Sequence, residues 1–184
     1  GWRVTVFEQQ PIPGGKAGSE SRDGYRFDTG PSLLTMPQVL KQLFAEAGRD
    51  WTEYVQVERL ETICNYFWQD GTRLHAYGDP ERFAREVEKQ TGESAQNVRR
   101  YLEYAGRIDD AASRLFLWNS LHDRSTYFSS TFWRSLVRLG RIDSGRTMDQ
   151  ANRTFFRDQR VVQLFNRYAT YNGSSPFLTP ATLN

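Results

Sequence analysis

The chain opens with a run of β-branched residues that stops at an acidic side chain and is followed by a glycine pair. In GWRVTVFEQQPIPGGKAG, Val4, Thr5 and Val6 favour an extended backbone, so residues 2–8 read as a strand. Glu8 closes that run, and Gly14-Gly15-Lys16 follows after a short proline-bearing spacer. A strand that ends on a carboxylate and meets a glycine turn restricts the chain to a few layouts. The strand must enter a sheet, and the turn must let the backbone pass where no side chain fits.

Two readings of these residues stand side by side. In a dinucleotide-binding fold, the acidic residue ending the second strand accepts hydrogen bonds from ribose hydroxyls. A carboxylate suits that task because it offers two oxygens to two neighbouring donors. The glycines would admit a cofactor to the backbone, and Lys16 would bring a positive charge toward a pyrophosphate or a neighbouring ribose. An edge-of-sheet Glu followed by an ordinary turn accounts for the same residues without a ligand.

The rest of the chain has a legible order. Asp23-Gly24 marks a turn between two short extended pieces. In TMPQVLKQLFAEAGRD, Thr35 and Gln38 suggest a capping box, and Pro37 suits the first turn. Met36, Val39, Leu40, Leu43, Phe44 and Ala47 then share one helical face, and Gly48 ends it. A hairpin is expected near 62–78 around a two-residue Asp70-Gly71 turn. Asp79-Pro80 predicts a helix over 80–90. A longer helix over 94–118 carries Val98, Tyr101, Leu102, Ala105, Ile108, Ala112, Leu115 and Phe116 in one stripe. Further helices are predicted over 130–140, over 147–157 behind a Thr147/Gln150 capping box, and over 159–170. The tail YNGSSPFLTPATLN reads as loop.

Larger pieces carry a resemblance. GGKAGSESRDGYRFDTGPSLLTMP joins the glycine doublet to Phe27-Asp28-x-Gly30-Pro31, and YATYNGSSPFLTPATLN supplies a second matching segment. With the Asp70-Gly71 hairpin between them, these segments resemble the FAD-dependent carotenoid desaturases, relatives of bacterial phytoene desaturase within the amine-oxidase-like flavoproteins. The TGPSLLTMP and NGSSPFLTPATLN segments are most similar to the hydroxycarotenoid 3,4-desaturase branch. The resemblance implies an α/β fold. Residues 1–35 would form a partial FAD-binding, Rossmann-like core, and 36–184 a mainly helical substrate or cap domain containing the hairpin. It implies FAD as cofactor, with Glu8, Gly14, Gly15, Lys16 and Gly30 as cofactor-binding residues. It also implies a carotenoid substrate, desaturated by hydride transfer to flavin N5 while a proton leaves the adjacent carbon.

Family members begin with a strand and a G-x-G-x-x-G turn before the segment matched here, and continue well past the residue matching Asn184. The expectation is therefore that this is a fragment, beginning with Gly rather than Met, that binds FAD weakly or not at all alone.

Composition narrows the remaining classes. No run of eighteen apolar residues occurs, and the first residues form no signal peptide. The one cysteine, Cys64, forms no intrachain disulfide, fits a reducing compartment and reads as a buried structural thiol. The formal net charge of +2 divides unevenly. Residues 1–110 hold 14 basic and 18 acidic side chains, whereas 111–184 hold 10 and 4. With its aromatic residues, the 111–141 region is expected to suit an anionic membrane surface, consistent with a peripheral, cytoplasmic protein. A helical core segment with a solvated Arg face is the alternative. No nucleic-acid motif occurs, and the oligomeric state is not legible. The 26 aromatic residues (12 Phe, 9 Tyr, 5 Trp) are compatible with an apolar tunnel, although most would simply pack a core.

No catalytic acid or base stands out. His75 and His122 lie outside the matched motifs, Asp109 and Asp110 point in different directions on one helix, and no metal-ligand spacing occurs. Two other functions compete: an amine-oxidase-like oxidoreductase with another substrate, and a non-catalytic lipid-surface or partner-binding module.

Overall fold

The computed structural model describes residues 3–31, 33–116 and 142–184. These form a mix of helices and small antiparallel sheets in two compact units, Gly1–Glu58 and Arg59–Asn184.

In the first unit, the described residues 3–8 of the strand expected over 2–8 form no strand. Residues 3–8 carry no ladder, and Val4, Val6 and Phe7 are exposed. A β-strand exists only while its amides and carbonyls meet a partner. The nearby strands β1 (Ser19–Arg22) and β2 (Tyr25–Asp28) instead pair with each other. Their turn is the one the sequence predicts: Asp23 (φ 52°) and Gly24 (φ 82°) both have positive φ, as a tight hairpin turn of matching twist requires.

Helix α1 (Pro37–Glu46) starts one residue later than the expected capping box needs. Met36 holds the cap position and makes no side-chain cap bond, so Thr35 and Gln38 form no box. The helix ends as predicted. Gly48 (φ 67°) lets its own amide reach Ala45 O at 3.0 Å and that of Arg49 reach Phe44 O at 2.9 Å, satisfying carbonyls the last turn leaves open. None of its residues is fully buried, and Leu43 is 61% exposed.

The second unit holds the core. Strands β3 (Thr62–Phe67) and β4 (Arg73–Tyr77) pair antiparallel. Their connection is longer than the expected two-residue turn. Gly71 alone has positive φ (84°), its amide reaches Trp68 O at 3.1 Å, and Trp68 N closes on Thr72 O at 3.0 Å. This is a three-residue loop with a glycine bulge. Asp70 stays at negative φ because its carboxylate accepts from Thr72 N at 2.9 Å.

The inner hairpin face, Leu74 and Ala76, joins one apolar cluster with Phe83, Ala84 and Val87 of α2 (Pro80–Thr91). Asp79 caps α2 by accepting from Arg82 N at 2.7 Å, and Gly92 (φ 77°) ends it. Helix α3 (Ala95–Phe116) contributes Val98, Tyr101, Tyr104 and Ile108. Leu102, Ala105 and Ala112 of the predicted stripe are half-buried, whereas Tyr104 and Ala111 are buried. The side chains of Leu115 and Phe116, and the helix expected over 130–140, lie outside the described residues.

Helix α4 (Met148–Phe155) has the predicted capping box, with both Thr147 and Gln150 bonds formed. Helix α5 (Gln159–Asn166) follows, capped by Asp158, and a 3-10 segment (Arg167–Asn172) continues it. Phe165 stacks on Phe156 with centroids 4.9 Å apart and lies 4.2 Å from Tyr101. The tail is tied down by Met148 N to Thr179 O at 2.8 Å and Ala181 N to Arg146 O at 2.9 Å.

A single carboxylate joins the start of α3 to the turn between α4 and α5. Glu93 is 6% exposed. It accepts from Arg157 N (2.7 Å), Asp158 N (3.0 Å) and Asn97 Nδ2 (2.7 Å). Burial opposes its charge, but the Asp158 amide, Asn97 and the Arg157 amide together hold the carboxyl below its ordinary value of 4.5. Glu93→Gln removes the charge from these bonds and should cost about 2 kcal/mol, read as a lower urea midpoint with unchanged slope. Because the folded-state value is lowered, the stabilisation is complete above about pH 4.5 and fades as pH falls through it. The gap between wild type and Glu93→Gln should therefore narrow toward acid pH.

Candidate functional site

The glycine pair and the segment after β2 meet in the first unit. Gly14 adopts φ 136° and Gly15 φ 54°, conformations that L side chains rarely take, and a 3-10 turn runs over Gly15–Ala17. It is closed by Ala17 N to Gly14 O (3.0 Å) and Gly18 N to Gly15 O (3.2 Å). The hairpin brings the other half. Thr29 N donates to Gly18 O at 3.0 Å, extending the β1–β2 pairing so that Gly30 lies behind the turn. A Cβ on Gly30 would fall 1.5 Å from the Lys16 carbonyl oxygen and 2.6 Å from its carbon. No side chain fits there.

Of the five residues singled out, Gly14, Gly15, Lys16 and Gly30 are thus brought together. Glu8 is engaged locally: its Oε1 accepts from Gln10 N at 2.8 Å, and the side chain is exposed. Gly18 is a residue the sequence reading passed over. Its Cβ would lie 3.2 Å from both Gly15 O and Thr29 Oγ1. The signal was a third glycine placed between the doublet and the hairpin.

The resulting surface is bare backbone beside one exposed cation, Lys16. A ligand can approach the main chain at Gly15, where nothing lies within 4 Å of the side-chain position. The chemistry offered is close contact plus positive charge, which suits a flat or phosphorylated ligand.

His75 Nδ1 lies 2.6 Å from Asn65 Oδ1 on the exposed hairpin face, while His122 lies outside the described residues. Cys64 is half-buried against the core. Among the described residues, no three His, Cys, Asp or Glu side chains form a metal cluster, and no helix is long and apolar enough to cross a membrane. Of the 111–141 region, residues 117–141 lie outside the described part.

Comparison with known proteins gives this geometry its context. The profile of the flavin containing amine oxidoreductases matches residues 1–174, and the chain belongs to that family. It is 39% identical over 187 residues to a 1-hydroxycarotenoid 3,4-desaturase from Flavobacterium sp. (strain P99-3). It is 35% identical over 199 residues to a hydroxyneurosporene desaturase from Rhodobacter capsulatus, and 32% identical over 184 residues to a 4,4'-diapolycopene oxygenase from Methylomonas sp. Each match covers 100% of this chain and 37% of the relative.

The crowding at Gly30 predicts a sharp asymmetry. Gly30→Ala should push the Lys16 backbone aside and shift the amide NMR signals of Gly14, Gly15 and Lys16. Gly24→Ala, at a turn with open space, should cost only the ~1 kcal/mol of an unfavourable backbone and leave those signals in place.

Proposed function

We propose that this chain is part of an FAD-dependent carotenoid desaturase, with residues 1–35 contributing to a Rossmann-like cofactor core and 36–184 to a substrate domain. The packing of Gly30 against Lys16 carries the reading, because it forms a side-chain-free approach to the main chain next to a cation. The family is flavin-containing, and the turn fits such a group. Gly14 and Gly15 would allow its close approach, Gly30 would let the turn pack where it does behind them, and Lys16 would face the pyrophosphate or a ribose. Glu8 Oε1 is taken by Gln10, and Oε2 would serve a ribose hydroxyl. When bound, the flavin supplies the hydride acceptor for desaturation; the protein's part is to bind, orient and exclude water.

The substrate class rests on the relatives' names, two of which specify desaturation of a hydroxylated carotenoid. The test uses a protein carrying this chain within the full length of its relatives. It should purify with flavin absorbance and red-shift the spectrum of a hydroxylated carotene. A colourless protein that FAD does not restore to turnover would sink the proposal. Lys16→Ala should weaken FAD binding by about tenfold, the equivalent of one exposed charge contact of ~1.4 kcal/mol.

Attachment to an anionic membrane surface at the cytoplasmic face belongs to the same proposal. It is supported by the basic excess of residues 111–184, 10 basic against 4 acidic side chains, interleaved with aromatic residues. In liposome flotation the protein should rise with anionic vesicles and be released at high salt. Equal recovery with neutral vesicles would count against it.

A further inference from the structure

Asp143 is one of two described non-glycine residues at positive φ (49°). Asp tolerates that region better than most residues, and outside a hairpin turn the conformation directs attention to what the side chain meets. Here it is aimed at Tyr104 of α3, whose phenol donates to Asp143 Oδ2 at 2.6 Å. Arg146 holds the carboxylate from the other side, with Nε 2.8 Å and Nη2 2.7 Å from the same oxygen. Burial chiefly, and then the hydrogen bond to Asp143, push the Tyr104 phenol up to about 12. Burial works against the Asp143 charge, but Arg146 and Tyr104 keep the carboxyl below its ordinary range.

Tyr104 also begins a continuous aromatic path. Its ring lies 6.0 Å from Tyr101, and Tyr101 lies 4.2 Å from Phe165. Phe165 lies 6.4 Å from Tyr168, and Tyr168 lies 5.9 Å from Tyr171, which is 67% exposed. Four tyrosines therefore connect the buried Tyr104, bonded to the half-buried Asp143, to solvent, with one phenylalanine ring to cross. Tyr101 donates to the amide oxygen of Asn184 at 3.1 Å, a poor proton acceptor, whereas Tyr104 donates to a carboxylate.

We propose that Tyr104 and Asp143 form a redox-active tyrosine site, reached from the surface through Tyr171, Tyr168 and Tyr101. A one-electron oxidant of the metal-centred or peroxyl radical class takes an electron at Tyr171, and the vacancy moves inward. At Tyr104 the phenolic O–H bond breaks and an O–H bond forms on Asp143 Oδ2. The products are a neutral phenoxyl radical, a carboxylic acid and the oxidant reduced by one electron. A one-electron reductant reverses both transfers. An oxidised phenol is a strong acid, so even a carboxylate paired with Arg146 accepts its proton, and the short hydrogen bond means no heavy atom has to move. The site lies wholly in the second unit and does not depend on the cofactor assignment.

The test is flash oxidation of the 184-residue chain by a ruthenium(III) polypyridyl complex, with the neutral tyrosyl radical followed by transient absorption and electron paramagnetic resonance. The wild type should give a long-lived radical whose formation slows in deuterated water. Tyr104→Phe keeps the ring packing and should cut the long-lived fraction by about tenfold. Asp143→Asn keeps both the backbone, since Asn tolerates positive φ, and the acceptor, but cannot take the proton. It should shorten the lifetime by about tenfold, a change of ~1.36 kcal/mol in barrier. Far-ultraviolet circular dichroism identifies any variant that fails to fold, and the other then decides. A folded variant with wild-type yield and lifetime would overturn the proposal, as would a wild type that forms no tyrosyl radical.

Discussion

The second unit depends on a buried carboxylate that is more strongly bonded than exposed. Glu93 sits just before α3 and collects two main-chain amides from the turn between α4 and α5, 64 and 65 residues away. Those amides belong to residues around the helix start of α5, donors that a helix leaves without intrahelical partners. One acceptor oxygen therefore serves two amides while its partner oxygen orders Asn97. With that contact made, α5 lies where Phe165 meets Tyr101, and the aromatic core follows. A neighbouring cation extends the same logic. Arg160 bonds Asp158, reaches Asp70 and Thr72 in the hairpin loop, and donates to Thr91 O at the end of α2.

What could be read from the sequence follows from how local each signal is. The Asp79 and Thr147 caps, the Asp23-Gly24 turn and the Gly48 helix end each involve residues within a few positions of one another, and all formed as expected. The failures involve competition or distance. Thr35 lost its cap because the helix began after Met36, leaving the hydroxyl one position out of register. The Asp70-Gly71 pair became part of a wider loop because the Asp70 side chain holds its own backbone at negative φ. The strand at 2–8 has the right composition, but a strand's stability resides in its partner, which composition does not specify.

The candidate site divides in the same way. The glycines at 14, 15 and 30 were recognisable as positions that favour no side chain, yet only the three-dimensional structure shows why: positive φ at Gly14 and Gly15, and backbone crowding at Gly30. Gly30 is barred by the carbonyl of Lys16, so the two halves of the motif, fourteen residues apart, brace each other. Gly18 escaped notice because its constraint lies across the hairpin at Thr29. Glu93 and the Tyr104–Asp143 pair were not legible at all. Their partners are tens of residues away, and an isolated Glu, Tyr or Asp carries no pattern.

The two units are held by different physics, and this bears on function. Among the described residues of the second, most of the buried aromatic and aliphatic side chains fall in one cluster. The first buries almost none: its geometry around the glycine turn comes from backbone crowding, positive-φ glycines and a hairpin ladder. Such a surface is shaped by what cannot fit rather than by what packs. Steric exclusion fixes which conformations are forbidden but contributes little attractive energy of its own. A ligand that fills the bare main-chain approach at Gly15 would supply the missing contacts and stabilise the turn by mass action. If the turn holds the proposed ligand, its binding and local order at Gly14–Lys16 should rise together, more steeply than at a site built on a packed core.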